Sequence, residues 1–198
     1  MNTKERFLKL TEYTTPHGME DELIKYLPSG LRKESYGYVI SIGKSRTMFT
    51  CHLDTFCYEK EKVNQIIKGN IVKTDETTIL GGDNKAGVTI LSYMIEQGIP
   101  GTYFFFYGEE PTAEGGGLFG SSILLEEHPD LFKQFDRAIA FDRRETNSII
   151  TRQMARYCCS DEFADALIKE FAGIGITMKK DKTGYYTDTG NFLDVICE

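Results

Sequence analysis

Four short segments end an apolar run in groups that bind cations or move protons: "FTCHLDT" with His52 and Asp54, "LGGDNKAG" with Asp83, "FYGEEP" with Glu109 and Glu110, and "IAFDRR" with Asp142. One imidazole with several carboxylates is a donor set for zinc, and at lower affinity for manganese or cobalt. His52 and Asp54 are two residues apart, on one face of an extended strand. Asp54 can accept a hydrogen bond from one ring nitrogen of His52 while the other nitrogen meets a metal, the support that metal-binding histidines commonly have. Glu109 and Glu110 are adjacent and point to opposite sides of a strand end, which invites a division of labour between them.

Each segment alone has a plain structural alternative. His52 on an apolar strand can be a satisfied core histidine, and Asp83 after two glycines can cap a helix starting at Asn84. Glu109 and Glu110 can be solvated loop residues, and Asp142 can pair with Arg143 or Arg144. The conjunction favours the metal, because four independent structural accounts would otherwise have to hold at four strand ends. In open α/β sheets ligands bind at the carboxyl ends of strands, so these tips can converge.

The elements that must carry them read as alternating strands and helices. Residues 3–13 and "MEDELIKYL" predict two helices, separated by Pro16 and Gly18. "YGYVISIG" and "TMFTCHLD" predict strands, and "VNQIIKGNIVKTD" a hairpin turning at Gly69-Asn70. "NKAGVTILSYMIEQG" predicts a helix with Ile90, Leu91, Met94 and Ile95 on one face and Gly98 as its stop. "GTYFFFY", "RAIAFD" and "TNSIITRQ" predict further strands, with a helix near Leu118–Glu127 and another, capped by Ser160, over "SDEFADALIKEFAGIG". The expected architecture is an α/β sandwich in three layers, a mixed and mostly buried central sheet flanked by helices, in one domain over residues 1–198.

Composition narrows the classes. At 198 residues, with 40% hydrophobic and 27% charged residues, the chain reads as globular. Its net charge of −7 argues against a nucleic-acid partner and leaves acids to spare for cations. No apolar run approaches the ~20 residues of a membrane span, and the charged N-terminus lacks the pattern of a signal peptide, so a cytoplasmic protein is expected. Cys51, Cys57, Cys158, Cys159 and Cys197 form no CxxC pair or disulfide framework and are expected to be reduced structural residues.

The motifs "HLDT", "GGDNKAG", "GEE" and "FDR", in this order from about Met48 to Asp142, resemble the di-zinc aminopeptidase and carboxypeptidase superfamily with a phosphorylase/hydrolase-like fold. "LTEYTTPHGMEDEL" and "TDTGNF" on the flanks resemble it too. The resemblance implies that His52, Asp83 and Asp142 hold one zinc, and that Asp83 bridges to a second zinc also bound by Glu110. It assigns Glu109 as the general base for a metal-activated water, Asp54 as the residue that orients His52, and a cis peptide between Asp83 and Asn84. Only residues 55–82 separate Asp54 from Asp83, and 143–198 follow Asp142, which matches the compact kind of the family, mostly aminopeptidases. A peptide or aminoacyl substrate is therefore expected. The alternatives are hydrolysis of N-acyl amino acids and a non-catalytic metal-binding homologue.

The family completes its second zinc site with a histidine on a loop near the C-terminus. This sequence has three histidines, and neither His17 nor His128 lies in the matching motif. "FLDVICE" at the end reads as the start of the strand leading to that loop. One whole metal site, an incomplete second one and low activity are the expectation for these residues.

Overall fold

The computed structural model describes residues 1–153 and 155–196. Asn2 caps α1 (Thr3–Leu10), its side-chain oxygen accepting from the Glu5 N–H at 2.9 Å. A 3-10 helix follows at Glu20–Tyr26 in place of the expected second α-helix. Its seven residues lie between Gly18 and Pro28, too few to repay α-helix nucleation, and Glu20 is drawn inward by tertiary bonds. The strands β1 (Arg32–Glu34), β2 (Gly37–Ile42) and β3 (Thr47–His52) come next, then the hairpin β4 (Gln65–Lys68) and β5 (Ile71–Thr74). After it run α2 (Gly82–Glu96), β6 (Gly101–Phe106), α3 (Phe119–Glu127), a 3-10 helix at Pro129–Gln134 and β7 (Arg137–Ala140). The last third holds short pieces: β8 (Ser148–Ile150), β9 (Arg152–Gln153), β10 (Arg156–Tyr157), α4 (Asp161–Gly173), β11 (Lys179–Asp181) and a 3-10 helix at Asp188–Phe192. As expected, Ser160 caps α4, accepting from the Phe163 N–H at 3.1 Å.

Five strands form the central sheet in the order β1-β2-β6-β3-β7. β1, β2 and β6 pair antiparallel, whereas β6, β3 and β7 run parallel, so the sheet is mixed. Side-chain alternation divides the core between its two faces. Phe49, Cys51, Leu53, Tyr103 and Phe105 pack with Leu10, Val88, Leu91 and Ile95 of α1 and α2. Met48, Phe104 and Phe106 pack the other way, with Leu124 of α3 and with Phe132, Phe135 and Phe192. Tyr103 to Phe106 are all fully buried, and at roughly 1.5–3 kcal/mol per side chain such a run is stable only as an inner strand covered on both faces. This is the three-layer sandwich that the patterning predicts.

Four local readings are corrected. In α2 the inward residues are Lys85, Val88, Leu91, Ser92 and Ile95, while Ile90 is 40% exposed. "RAIAFD" is a half-buried edge strand that ends at Ala140, leaving Phe141 and Asp142 beyond it. "TNSIITRQ" is split at Thr151, whose N–H donates to the Asp181 carbonyl at 2.8 Å. "FLDVICE" is no strand as far as residue 196: the Val195 and Ile196 N–H groups both donate to the Phe192 carbonyl, which closes a turn and leaves no ladder. Cys197 lies outside the described residues.

Candidate metal centre

Register aligns the chemistry. His52 at the end of β3 pairs with Phe106 at the end of β6, and Thr50 pairs with Ala140 at the end of β7. Because these three strands are parallel, the residues that follow, Asp54, Gly108 to Glu110 and Asp142, leave the sheet at one edge. Asp83 arrives from the start of α2, where residue 81 takes the N-cap position with a left-handed backbone.

His52 is the hub, with its side chain 1% exposed. Its Nδ1 lies 3.1 Å from Asp54 Oδ1 and its Nε2 lies 3.2 Å from Asp83 Oδ1. The same Nε2 is 3.7 Å from Asp142 Oδ1 and 3.8 Å from Glu109 Oε2. One donor atom each from His52, Asp83 and Glu110 lies within 4.8 Å of the others, the one such cation-holding group found among the described residues. All six residues singled out by type and spacing therefore meet at one place. The capping alternative for Asp83 is not realised, since no side-chain bond caps the helix, Asn84 is itself non-helical, and the Asp83 carboxylate turns to His52. The Asp83–Asn84 peptide is cis, as the resemblance implies.

Asp54 is buried and does more than face His52. Its Oδ1 accepts from the Glu109 N–H at 3.0 Å, and its Oδ2 accepts from the Glu110 N–H at 2.9 Å. The two glutamates are thus fixed at their backbone by the same carboxylate that orients the imidazole.

The electrostatics are those of an acidic cluster with too little positive charge. Burial opposes charge on His52, but contacts with Asp142, Asp54 and Asp83 outweigh it and raise its pKa well above 6.5. The bond to His52 holds Asp83 below the usual carboxylate range. Burial works against the charge of Asp54 too, yet His52 and the two amides keep its pKa low. Glu109 goes the other way: burial, with Asp142 and Asp188 nearby, pushes it up to about 9. Burial likewise pushes Glu110 up to about 7 and raises Asp142. A divalent cation among these oxygens reverses that logic by favouring their charged forms.

Three further buried charged residues are not legible from residue type and spacing. Asp188, in "YYTDTGNF", is 2% exposed, one of its oxygens has no partner, and burial pushes it up to about 7. Lys85 in "DNKAG" is fully buried, donates from Nζ to the Leu53 carbonyl, and is pulled down to about 8 by burial. Glu20 is 3% exposed. The available signal was position: Lys85 shares the inward face of α2 with Val88 and Ser92, and Asp188 lies in an aromatic-flanked stretch.

No family model and no curated protein matches the sequence. Solved structures do. The Pyrococcus horikoshii TET1 peptidase, described as assembling into a tetrahedron or a large octahedral shell, matches with a TM-score of 0.58 at 14% identity over 98% of this chain and 88% of its own. The aminopeptidase PepT from Bacillus cereus matches with a TM-score of 0.55 at 22% identity, over 77% of this chain and 47% of its own. Aminoacylhistidine dipeptidase from Vibrio alginolyticus matches with a TM-score of 0.52 at 18% identity, over 75% of this chain and 34% of its own. The chain has the fold of these peptidases. It spans most of the length of the first and less than half of the other two. No helix among the described residues is long and apolar enough to cross a membrane.

Proposed function

We propose that the protein is a metal-dependent exopeptidase of the aminopeptidase kind, acting on peptide or aminoacyl substrates. One observation carries this reading: His52, Asp83 and Glu110 place donor atoms within 4.8 Å of one another, with Glu109 and Asp142 against the same imidazole nitrogen. The donor set fits a dication. Imidazole nitrogen and carboxylate oxygens are ligands for zinc, and the raised pKa values of Glu109, Glu110 and Asp142 mark a charge deficit that a cation relieves.

His52, Asp83, Glu110 and Asp142 would hold the metal, with zinc first and manganese or cobalt as substitutes. When bound, it supplies Lewis acidity, which brings the pKa of water from about 15.7 toward about 7. The chain's own groups do the rest. Asp54 keeps the His52 ring oriented through Nδ1 and leaves Nε2 for the cation. Glu109, 11% exposed, takes a proton from the attacking water and returns it to the leaving amine. Asp83 is 73% exposed, so the cluster is open on its side to an incoming chain end.

The test is Glu109→Gln in zinc-loaded protein. Turnover of an aminoacyl substrate is expected to fall ~100- to 10,000-fold, the usual contribution of a general base, with bound zinc unchanged. Equal turnover, or zinc lost with Glu109 and retained without Glu110, would sink the assignment of the two roles. Activity confined to N-acyl amino acids would move the substrate class.

A further inference from the structure

We propose that the N-terminal turn "HGMED", residues 17–21, is a clamp that positions the Glu109–Glu110 turn, with Glu20 as the positioning residue for Glu109. The inference rests on Glu109 being the general base, since only then does its placement govern turnover.

Three successive backbone amides at the end of β6 each donate to a buried carboxylate. The Gly108 N–H donates to Glu20 Oε1 at 3.1 Å, while the Glu109 and Glu110 N–H groups donate to Asp54 at 3.0 and 2.9 Å. The residue before them is tied as well, because the Tyr107 hydroxyl donates to Asp21 Oδ1, which also accepts from the Tyr38 hydroxyl at 2.7 Å. Consecutive acids, Glu20 and Asp21, therefore hold consecutive residues, Gly108 and Tyr107. Backbone bonds take the other groups of this turn, the Tyr107 N–H donating to the Tyr36 carbonyl at 3.1 Å and the Gly108 and Glu109 carbonyls accepting from Phe119 and Leu118. Among the described residues, the amides of residues 108–110 bond only to carboxylates.

Glu20 is itself fixed from its own side. Its Oε2 accepts from the Gly18 N–H at 2.6 Å, and the His17 Nδ1 lies 3.0 Å from Oε1. The His17 ring then closes over the turn: a Cβ added at residue 108, where φ is 58°, would lie 2.4 Å from His17 Nδ1. The turn thus has a left-handed backbone and no clearance, both of which call for glycine. Carboxylate acceptors make shorter and stronger bonds to amides than carbonyls do. Burying two of them needs compensation, and the fully buried Lys85 interacts with both Asp54 and Glu20. A residue serving only the N-terminal turn would need no bond to the strand that carries the proton shuttle.

Hydrogen exchange of the 107–111 peptide, read by mass spectrometry beside steady-state kinetics of zinc-loaded protein, tests this in the wild type and in Glu20→Gln. Glutamine keeps one acceptor oxygen for two amides. In the wild type, the amides of residues 108–110 are expected to be protected although they lie in an irregular turn. In Glu20→Gln exchange at the Gly108 amide rises about tenfold, as for one lost hydrogen bond, while β6 stays protected. There kcat falls on the order of 100-fold, as small misplacements near a reacting centre do, and KM and bound zinc stay within about twofold. Unprotected amides in the wild type overturn the clamp even if the variant does not fold. So does unchanged exchange in a folded variant, or a loss of kcat that follows loss of zinc. A zinc-loaded wild type without peptidase activity counts against the proposed function instead, and the exchange data still decide the clamp.

Discussion

Asp54 meets three partners with two oxygens, His52 Nδ1 and the amides of Glu109 and Glu110. Asparagine in its place would turn one acceptor into a donor aimed at an N–H or at the ring. Asp54→Asn is therefore expected to lower zinc affinity about 10- to 100-fold, as losing the partner of a ligand histidine does. Isothermal calorimetry measures this, and an affinity equal to the wild type would mean that His52 is oriented without Asp54. At this scale the sequence was informative where chemistry sits at strand ends. His52, Asp83, Glu109, Glu110 and Asp142 are legible because acids and imidazole there break an apolar run. Glu20, Lys85 and Asp188 are not, since burial of a charge is decided by what folds over it. Glu20 looks like one of several solvated acids in a first turn, and only Gly108, far along the chain, shows otherwise.

The elements convert parallel register into a site, and α2 seats Asp83 against it. The approach depends on Gly87: a Cβ there would lie 1.9 Å from Asn84 Oδ1 and 2.4 Å from the Phe141 carbonyl oxygen. Phe141 precedes Asp142, so an added methyl presses on both the Asp83 and Asp142 segments. Gly87→Ala is expected to cost about 1–3 kcal/mol of stability, typical of overpacking, and to weaken zinc binding. Thermal melts with and without zinc check both; a variant with wild-type melting and zinc affinity would show that this contact carries no constraint. The strands of the central sheet and the hairpin at Gly69-Asn70 were legible from alternation and turn residues, whereas the strand order was not. The inward face of α2 was not, because Lys85 and Ser92 lie on it while Ile90 faces out. The turn at Phe192–Ile196 was also missed: apolar residues pack into the core from a turn as well as from a strand, and only the local hydrogen bonds distinguish them.

Across the whole molecule the raised acids set the pH response. Glu109 at about 9, and Glu110 and Asp188 at about 7, keep protons in the folded state that the unfolded chain releases near its ordinary 4.5 and 3.8. Unfolding between roughly pH 5 and 9 thus releases protons, and stability falls as pH rises through this range. His52, also raised, acts in the same direction. Asp54 and Asp83, both lowered, contribute stability that is lost only on acidification below about pH 4. The metal-free protein is expected to melt highest near the acid end of that window and progressively lower toward its alkaline end, with the fall flattened in Glu109→Gln. A melting temperature that climbs with pH over the same range contradicts this.

The central claim is that residues from three strand ends and one helix start form a cation site. Calorimetric titration of the metal-free protein with zinc tests it most directly, in the wild type and in Asp83→Asn. His17 is engaged with Glu20 and His128 packs edge-on against Tyr36, so His52 is the one imidazole at the cluster. One tight equivalent per chain is predicted for the wild type and none for Asp83→Asn. No saturable binding to the wild type, or binding undiminished in the variant, would contradict the account.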